Sequence, residues 1–347
     1  MPPVLLPEQM SLFPATRFMG SKNKLIQDIY EVVEDLDFDT AFDAFSGSGV
    51  VSYLFKSMGK TVISNDHMHM AWKYATAYVE NSTETLTDAQ IERLLTPSSN
   101  SDKFVQTKFK GLYFSDADNK AIDSIRSNIR RLRSPHLRAV ATTALIRACM
   151  KRRPRGIFTY VGDRYDDGRK DLKKSIAEHF EIAVQQVNNA IFNNRKKNEA
   201  RNGDAFDLRP RKNSLIYLDP PYYTPKSDNE YVRRYHFVEG LARNWKGVEI
   251  QEHTLTKKFK SYKTPFNSHD GALSAFDTLF RRFRDSLIVV SYSSNSLPTL
   301  DEIVEVMEKY KDNVEVVPVN HRYSFGNQGH KVGDNRNKVQ EYLFVGK

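Results

Sequence analysis

The strongest candidate for chemistry is the segment Asp219-Pro220-Pro221-Tyr222, which follows an apolar run at 215–218. Two prolines end a strand and hold the backbone rigid, because proline has a restricted φ and no N–H to donate. The turn therefore aims the Asp219 carboxylate, the Pro220 carbonyl and the Tyr222 ring into one small space. Two acceptors and a ring suit a planar aromatic amine. We predict that Asp219, Pro220 and Tyr222 are catalytic.

A glycine-rich turn, Phe45-Ser46-Gly47-Ser48-Gly49, follows a second apolar run, and Asp66 comes 17 residues after Gly49. Glycine lets the backbone pass close to a ligand, because no side chain obstructs it. A carboxylate at the end of the next strand can accept hydrogen bonds from both hydroxyls of a ribose. The pair favours an adenosine-containing ligand. The third glycine of a dinucleotide site is missing, and so is a GxxxxGK[ST] phosphate loop, which argues against a dinucleotide and an NTPase.

Apolar patterning predicts a mixed α/β fold that holds these residues. A strand at 41–45, a helix at 50–58 and a strand at 61–66 form a predicted βαβ unit. Further strands are predicted at 215–219 and 287–293, and a terminal hairpin pair at 314–319 and 339–346. Helical spacing marks Ile122–Leu132 and Leu172–Ile191. The polar stretch 81–100 suggests a domain boundary, and 223–268 is interpreted as a long loop or small insertion.

The basic charge is concentrated in one segment. The chain has 347 residues and a net charge of +9, whereas residues 101–155 alone carry 14 Lys and Arg against four Asp, a surplus of ten. The run KRRPR at 151–155 brings four cations together, which favours a surface that faces phosphates; a solvated helix face is the alternative. The single cysteine excludes a disulfide framework and a cysteine zinc site.

Taken jointly, these motifs resemble the DNA adenine-N6 methyltransferases of the Dam type, the alpha group. The resemblance covers about 1–80 and 200–347 and rests on five segments in the family's order: Arg17–Lys22, Phe45–Gly49, Asn65-Asp66, Gly203–Phe206 and Asp219–Tyr222. It implies a Rossmann-like class I methyltransferase sheet with a helical target-recognition domain inserted at 81–199. It also implies S-adenosylmethionine as the cofactor and double-stranded DNA as the partner.

By this resemblance, Phe18 and Lys22 touch S-adenosylmethionine, with Lys22 near its carboxylate, while Asp66 holds the ribose and Asp204 the adenine amino group. Phe18 stands where relatives often have tryptophan, and Ser21 where many have glycine. The full predicted cofactor set is Phe18, Lys22, Phe45, Ser46, Gly47, Gly49, Asp66, Asp204 and Asp219. The predicted DNA-binding set is Arg131, Arg133, Lys151, Arg152, Arg153, Arg155, Arg233 and Arg234.

Other readings remain open from the sequence. An RNA adenine methyltransferase would use the same chemistry, and an inactive DNA-binding regulator could keep the same fold. Cys149 lies on an apolar helix face outside a Pro-Cys turn, which disfavours cytosine-C5 methylation. The histidines lack metal-ligand spacing, so no metal is expected. We expect a monomeric cytoplasmic enzyme with no membrane span and no signal peptide. A separate endonuclease is a possible partner in a restriction-modification system.

Overall fold

A computed structural model describes residues 5–162, 168–210, 212–225, 231–324 and 338–347. Seven strands in these ranges form one sheet in the order β3-β2-β1-β4-β5-β7-β6. Their bounds are β1 Thr40–Asp43, β2 Thr61–Asp66, β3 Glu199–Asn202, β4 Ser214–Leu218, β5 Leu287–Ser293, β6 Val314–Ser324 and β7 Lys338–Gly346. β7 runs antiparallel to its neighbours β5 and β6, and the other pairs of neighbouring strands are parallel. The predicted βαβ unit and the antiparallel terminal pair are both confirmed.

Eleven α-helices accompany the sheet in the described ranges. They are α1 Ile26–Val33, α2 Val50–Ser57, α3 His69–Ala75, α4 Asp88–Leu95, α5 Phe104–Lys108, α6 Asp116–Ile129, α7 Pro135–Arg152, α8 Ile176–Asn189, α9 Tyr231–Ala242, α10 His269–Arg282 and α11 Leu300–Glu308. The predicted mixed α/β, Rossmann-like fold is therefore confirmed. Within the part of the chain that the structure describes, no helix is long and apolar enough to cross a bilayer.

Both faces of the central part of the sheet are covered, as the continuous apolar runs of β4 and β5 require. Side chains alternate along β4, so Leu215 and Tyr217 enter one buried cluster whereas Ile216 and Leu218 enter a second one. The second cluster is closed by α10 and α11, and the first by α1, α2 and most of the helices between 81 and 199. The strands from which the motifs project are thus packed on both faces.

The helices at 81–199 pack into the same hydrophobic cluster as the sheet. Ile122, Val140 and Val184, from α6, α7 and α8, share it with Leu215 of β4. The expected boundary at 81–100 is not a loose linker, because it contains α4, and the side chain of Ile91 is buried there. Among the described residues, the 81–199 region therefore has no hydrophobic core separate from that of the sheet. Its role as a second, target-recognition domain stays a prediction about function.

The prediction of a loop at 223–268 is wrong for its central part. Residues 231–242 form α9, which buries Val232, Tyr235, Phe237 and Leu241 on one side of the sheet. The apolar residues were hidden by interspersed Arg, Tyr and His, which weakened the helical pattern. Residues 226–230 of the predicted loop lie outside the described ranges.

The reversal of strand order lies between β1 and β4, because β1 is followed on one side by β2 and on the other by β4. In open α/β sheets, ligands bind at this point, outside the carboxyl ends of the strands. The glycine-rich turn follows β1, Asp66 ends β2, and Asp219 follows β4. The topology therefore brings all three predicted motifs to one edge.

Candidate active site

A cavity of about 320 Å³ opens at this edge, which is within the range of small-molecule sites. It is lined by residues from seven parts of the chain: 18–22, 43–51, 66–68, 203–206, 217–223, 231–232 and 261–267. Of the predicted site residues, Phe18, Lys22, Phe45, Ser46, Gly47, Asp66, Asp204, Asp219 and Tyr222 line it. Pro220 is buried between two lining residues, Asp219 and Pro221, and Gly49 is the N-cap of α2 with φ 80°.

Asp66 ties the glycine-rich turn to the end of β2. Its Oδ2 accepts a hydrogen bond from the Gly47 N–H at 2.8 Å, and its Oδ1 accepts one from the Met68 N–H at 2.8 Å. Burial raises the pKa of Asp66 to about 6, although these two hydrogen bonds counteract it. Each oxygen keeps a further lone pair for a ligand hydroxyl.

The Phe18 ring covers the glycine-rich turn. A Cβ added to Gly47 would lie 3.1 Å from this ring, and φ at Gly47 is +50°, so a larger residue would be strained there. Phe18 also stacks on Tyr235 with centroids 5.1 Å apart, and on Tyr231 at 5.9 Å. Tyr235 accepts a hydrogen bond from the Met19 N–H at 2.7 Å. These aromatic rings hold the 18–22 segment against α9 and form one wall of the cavity.

The catalytic motif makes a compact polar network. Lys22 Nζ lies 2.7 Å from Asp219 Oδ1, and the Tyr222 hydroxyl donates to the same oxygen at 3.0 Å. Burial raises the pKa of Asp219, while the Lys22 ammonium and these hydrogen bonds counteract the rise. Both contacts from described residues end on Oδ1, so Oδ2 is available to accept a hydrogen bond from a bound amino group.

Three further polar groups in the cavity wall have no hydrogen-bond partner among the described residues. They are Asp43 Oδ1, Ser46 Oγ and the Tyr217 hydroxyl, all buried. The other oxygen of Asp43 accepts from the Ser52 hydroxyl at 2.6 Å, yet burial still raises the pKa of Asp43 to about 7. Buried polar atoms without partners are rare in folded proteins. Their place in the wall of this cavity is consistent with hydrogen bonds to a bound polar ligand.

One part of the cavity wall, formed by His67 and Tyr262, was not predicted from the sequence. Tyr262 stacks on His67 with centroids 4.9 Å apart and donates a 2.6 Å hydrogen bond to Glu239. Glu239 is fully buried and also accepts from the His69 and Met70 N–H groups, each at 2.9 Å. This carboxylate therefore fastens the 261–267 segment to the start of α3. No local pattern in the sequence indicates such a contact.

The predicted DNA-binding cations lie in three separate parts of the structure. Arg131 and Arg133 are exposed before the N-terminus of α7, whereas Lys151 and Arg152 end that helix and Arg155 follows it. The helix has 18 residues, so it spans about 27 Å. Its C-terminal end lies beside the cavity, because a Cβ on Gly156 would lie 3.3 Å from Cβ of Arg17, next to the cavity-lining segment. Arg233 and Arg234 are half-buried on α9.

The predicted contact of Arg153 with DNA is corrected, because its side chain is buried. The side chain is 1% exposed and donates to the carbonyls of Tyr113, Gly162 and Tyr160 at 2.9–3.3 Å. Repulsion within KRRPR is also relieved inside the protein, because Lys151 pairs with Asp171 at 3.0 Å and Arg152 with Asp118 at 3.4 Å. The prediction that Cys149 is a core residue is confirmed.

Comparison with known proteins agrees with this geometry. The model of the D12 class of N6 adenine-specific DNA methyltransferases matches residues 18–311. Type II methyltransferase M2.HphI of Haemophilus parahaemolyticus is 26% identical, with 96% of this chain and 97% of that protein covered. Type II methyltransferase M.NlaIII of Neisseria lactamica is 23% identical, with 94% and 98% covered.

Modification methylase LlaI of Lactococcus lactis subsp. lactis is 24% identical over 94% of this chain, which spans only 54% of that longer protein. The family match includes the 18–22 segment, the glycine-rich turn, Asp66 and the catalytic motif, all of which meet at one edge of the sheet. This chain belongs to the D12 class of N6 adenine-specific DNA methyltransferases.

Proposed function

We propose that the chain methylates N6 of an adenine flipped out of double-stranded DNA, with S-adenosylmethionine as the methyl donor and Asp219 as the central catalytic group. The observation that carries this proposal is the arrangement around Asp219. Lys22 and Tyr222 both engage Oδ1, which leaves Oδ2 for the amino group of a base. Base flipping is required because the reacting nitrogen is otherwise inside the duplex, and it costs a few kcal/mol.

The chemistry of the cavity fits S-adenosylmethionine. Gly47 provides a position that a side chain would block, Asp66 supplies acceptors for ribose hydroxyls, and Asp43 and Ser46 offer unpartnered polar atoms. Phe18 and Phe45 add apolar surface for the adenosine. Asp204 caps a short helical turn through the Phe206 N–H at 3.1 Å, and its second oxygen is assigned to the adenine amino group. Lys22 is assigned to the carboxylate end as well as to Asp219.

The chain's residues act on the target nitrogen, which is a poor nucleophile because its lone pair is delocalised into the ring. When bound, S-adenosylmethionine supplies an electrophilic methyl group, whose bond to sulfur breaks as its bond to N6 forms. Asp219 Oδ2 and the Pro220 carbonyl accept the two amino hydrogens, which favours a localised lone pair and fixes the nitrogen in line. Asp219 need not be a strong base, because N6 becomes acidic only as the methyl group arrives; the proton that the methylated nitrogen then loses passes to Oδ2 of Asp219.

Tyr222 has two assigned tasks. Its ring stacks on the flipped base, and its hydroxyl holds Oδ1 of Asp219 at 3.0 Å. The ring is itself supported edge-on by Tyr292, with centroids 5.0 Å apart. The ring therefore has a fixed orientation before DNA arrives, which reduces the conformational entropy lost on binding.

For DNA binding we assign Lys151, Arg152 and Arg155 at the cavity end of α7, with Arg233 and Arg234 of α9. Arg131 and Arg133 lie about one α7 length away, near 27 Å. They can only meet the duplex at a distance from the target base. Residues 81–199 are proposed as the target-recognition region, although they share the core of the sheet.

The names of the relatives support a role in restriction-modification, because they include type II methyltransferases and modification methylases. We propose a monomeric, cytoplasmic modification enzyme whose cognate endonuclease is a separate protein. One experiment tests the proposed activity and substrate: the purified chain and S-adenosylmethionine are incubated with genomic DNA and, in parallel, with RNA. Single-molecule sequencing should find N6-methyladenine at one recurrent DNA site; methylation of RNA alone, or of neither, would contradict it.

A further inference from the structure

Glu341 lies next to the catalytic motif, although it comes from the last strand of the chain. The register of β7 pairs it with Ser293 of β5, and alternation places it on the same face of the sheet as Ser291. Its side chain is only 7% exposed, and its Oε2 lies 3.3 Å from the Tyr222 hydroxyl. A buried carboxylate at this distance from a proposed catalytic tyrosine requires a physical explanation.

The number of available hydrogen-bond donors limits the protonation state that Glu341 can have. The Tyr222 hydroxyl is within reach of Asp219 Oδ1 at 3.0 Å, Glu341 Oε2 at 3.3 Å and Ser291 Oγ at 3.4 Å. A phenol has one proton to donate, and an ionised carboxylate can only accept. One hydroxyl therefore cannot satisfy two ionised carboxylates. A proton on Glu341 resolves the conflict, since Glu341 then donates to Tyr222 and Tyr222 donates to Asp219.

The surrounding charges decide which carboxylate keeps the proton. Lys22 pairs directly with Asp219 at 2.7 Å, so the negative charge is favoured there. Glu341 has no such direct pair among the described residues, and burial raises its pKa to about 7, with the Asp219 charge adding to the rise and Lys22 opposing it. The titratable groups that face Glu341 from the described segments are Lys22, Asp219, Tyr217, Tyr222 and Tyr231.

We propose that Glu341 is a positioning residue for methyl transfer, a protonated donor that holds the Tyr222 hydroxyl on Oδ1 of Asp219. This role of Glu341 rests on the proposed catalytic role of Asp219. Glu341 does not touch the substrate and takes no proton from it. With the donor chain Glu341–Tyr222–Asp219 formed, Oδ2 stays directed to the amino group. When Glu341 ionises it competes for the tyrosine proton, so the chemical step slows as pH rises through about 7.

The test compares Glu341→Gln with Glu341→Ala. A glutamine amide donates to Tyr222 at every pH, whereas alanine leaves it without this donor. Single-turnover methylation rates are measured between about pH 6 and pH 9, with saturating S-adenosylmethionine and target duplex, so that binding does not enter. Glu315→Gln, on an exposed position of the neighbouring strand β6, is the matched control.

The wild type and Glu315→Gln should lose rate as pH rises through about 7. Glu341→Gln should stay within about threefold of the wild type at pH 6 and keep its rate at higher pH, and Glu341→Ala should be about tenfold slower throughout. The proposal would be overturned if the rate of Glu341→Gln fell with pH as in the wild type, or if the wild-type rate did not fall. It would also be overturned if Glu341→Gln were as slow as Glu341→Ala.

Asp219→Ala is measured in the same series to separate the two proposals. If it is inactive while the Glu341 variants follow the wild-type profile, only the role of Glu341 fails. If it remains active, the proposed mechanism fails as well. Should Glu341→Ala not fold, as judged by its melting transition, the comparison of Glu341→Gln with the wild type still decides the matter, because the two side chains have the same shape.

Discussion

Lys22 Nζ lies 2.7 Å from Asp219 Oδ1, and both side chains are largely shielded from water. An opposite charge at this distance stabilises the ionised form of a carboxylate, whereas burial destabilises it. In Asp219 burial has the larger effect, and its pKa is raised despite the ammonium. By lowering the pKa of Asp219, the ion pair extends the ionised form of this carboxylate to lower pH.

Removal of this charge should shift the acid side of the pH–rate profile. In Lys22→Met the pKa of Asp219 should rise further, so the rate at saturating cofactor should begin to fall at a higher pH than in the wild type. Lys24→Met, at an exposed position in the same segment, should keep the wild-type profile. An acid limb at the wild-type position in Lys22→Met would show that the pair does not control Asp219.

Asp219→Ala should abolish methylation while cofactor binding largely survives. The amino group loses its main acceptor, and positioned acceptors of this kind contribute about 10²- to 10⁴-fold to rate. Methyl incorporation into DNA measures the loss, and calorimetry with S-adenosylmethionine measures binding. Asp312→Ala, at an exposed position before β6, serves as the control. Near-full turnover in Asp219→Ala would refute its catalytic role.

Asp66→Ala should weaken cofactor binding. The carboxylate holds the Gly47 and Met68 N–H groups at 2.8 Å and is assigned to the ribose. Hydrogen bonds to charged groups are worth about 1.5–3 kcal/mol, which corresponds to a rise in Kd of roughly tenfold to hundredfold. Calorimetry should show this rise in Asp66→Ala and not in Asp207→Ala, a nearby exposed position. An unchanged Kd would count against the ribose contact.

DNA binding should depend strongly on salt, and Arg155 should account for part of that dependence. Each phosphate contact contributes about one unit to the slope of log K against log salt. Arg155→Ala, at an exposed position beside the cavity end of α7, should therefore reduce the slope by about one. Arg284→Ala, an exposed cation after α10, should leave it unchanged. A flat salt dependence of the wild type would contradict the proposed DNA surface.

Arg153→Met should destabilise the fold, in contrast to Arg155→Ala. Loss of the guanidinium leaves the carbonyls of Tyr113, Tyr160 and Gly162 without a buried donor. Such a loss should lower the free energy of unfolding by about 2–4 kcal/mol, to be measured by urea denaturation. A stable Arg153→Met with a reduced salt slope would instead place this residue on the DNA.

The sequence by itself determined six of the seven strands, the motifs and their meeting place. Those six contain local apolar runs, whereas β3, Glu-Ala-Arg-Asn, has none and was not predicted. The parallel topology carries the carboxyl ends of β1, β2 and β4 to one edge. Asp66 and Asp219 could therefore be assigned to one site without coordinates, the family resemblance added Phe18, Lys22 and Asp204, and the cavity wall contains all five. The family resemblance rested on the same local motifs.

Tertiary structure alone decided how charges and rings pair. Arg153 and Arg155 look equivalent in the sequence, yet one is buried among carbonyls and the other is exposed. Glu341 reaches Tyr222 only because β7 is inserted beside β5, and Glu239 reaches the His69 and Met70 N–H groups only because α9 packs against α3. Such contacts depend on side chains far apart in the chain, and whether a charge is exposed or buried depends on which elements pack over it.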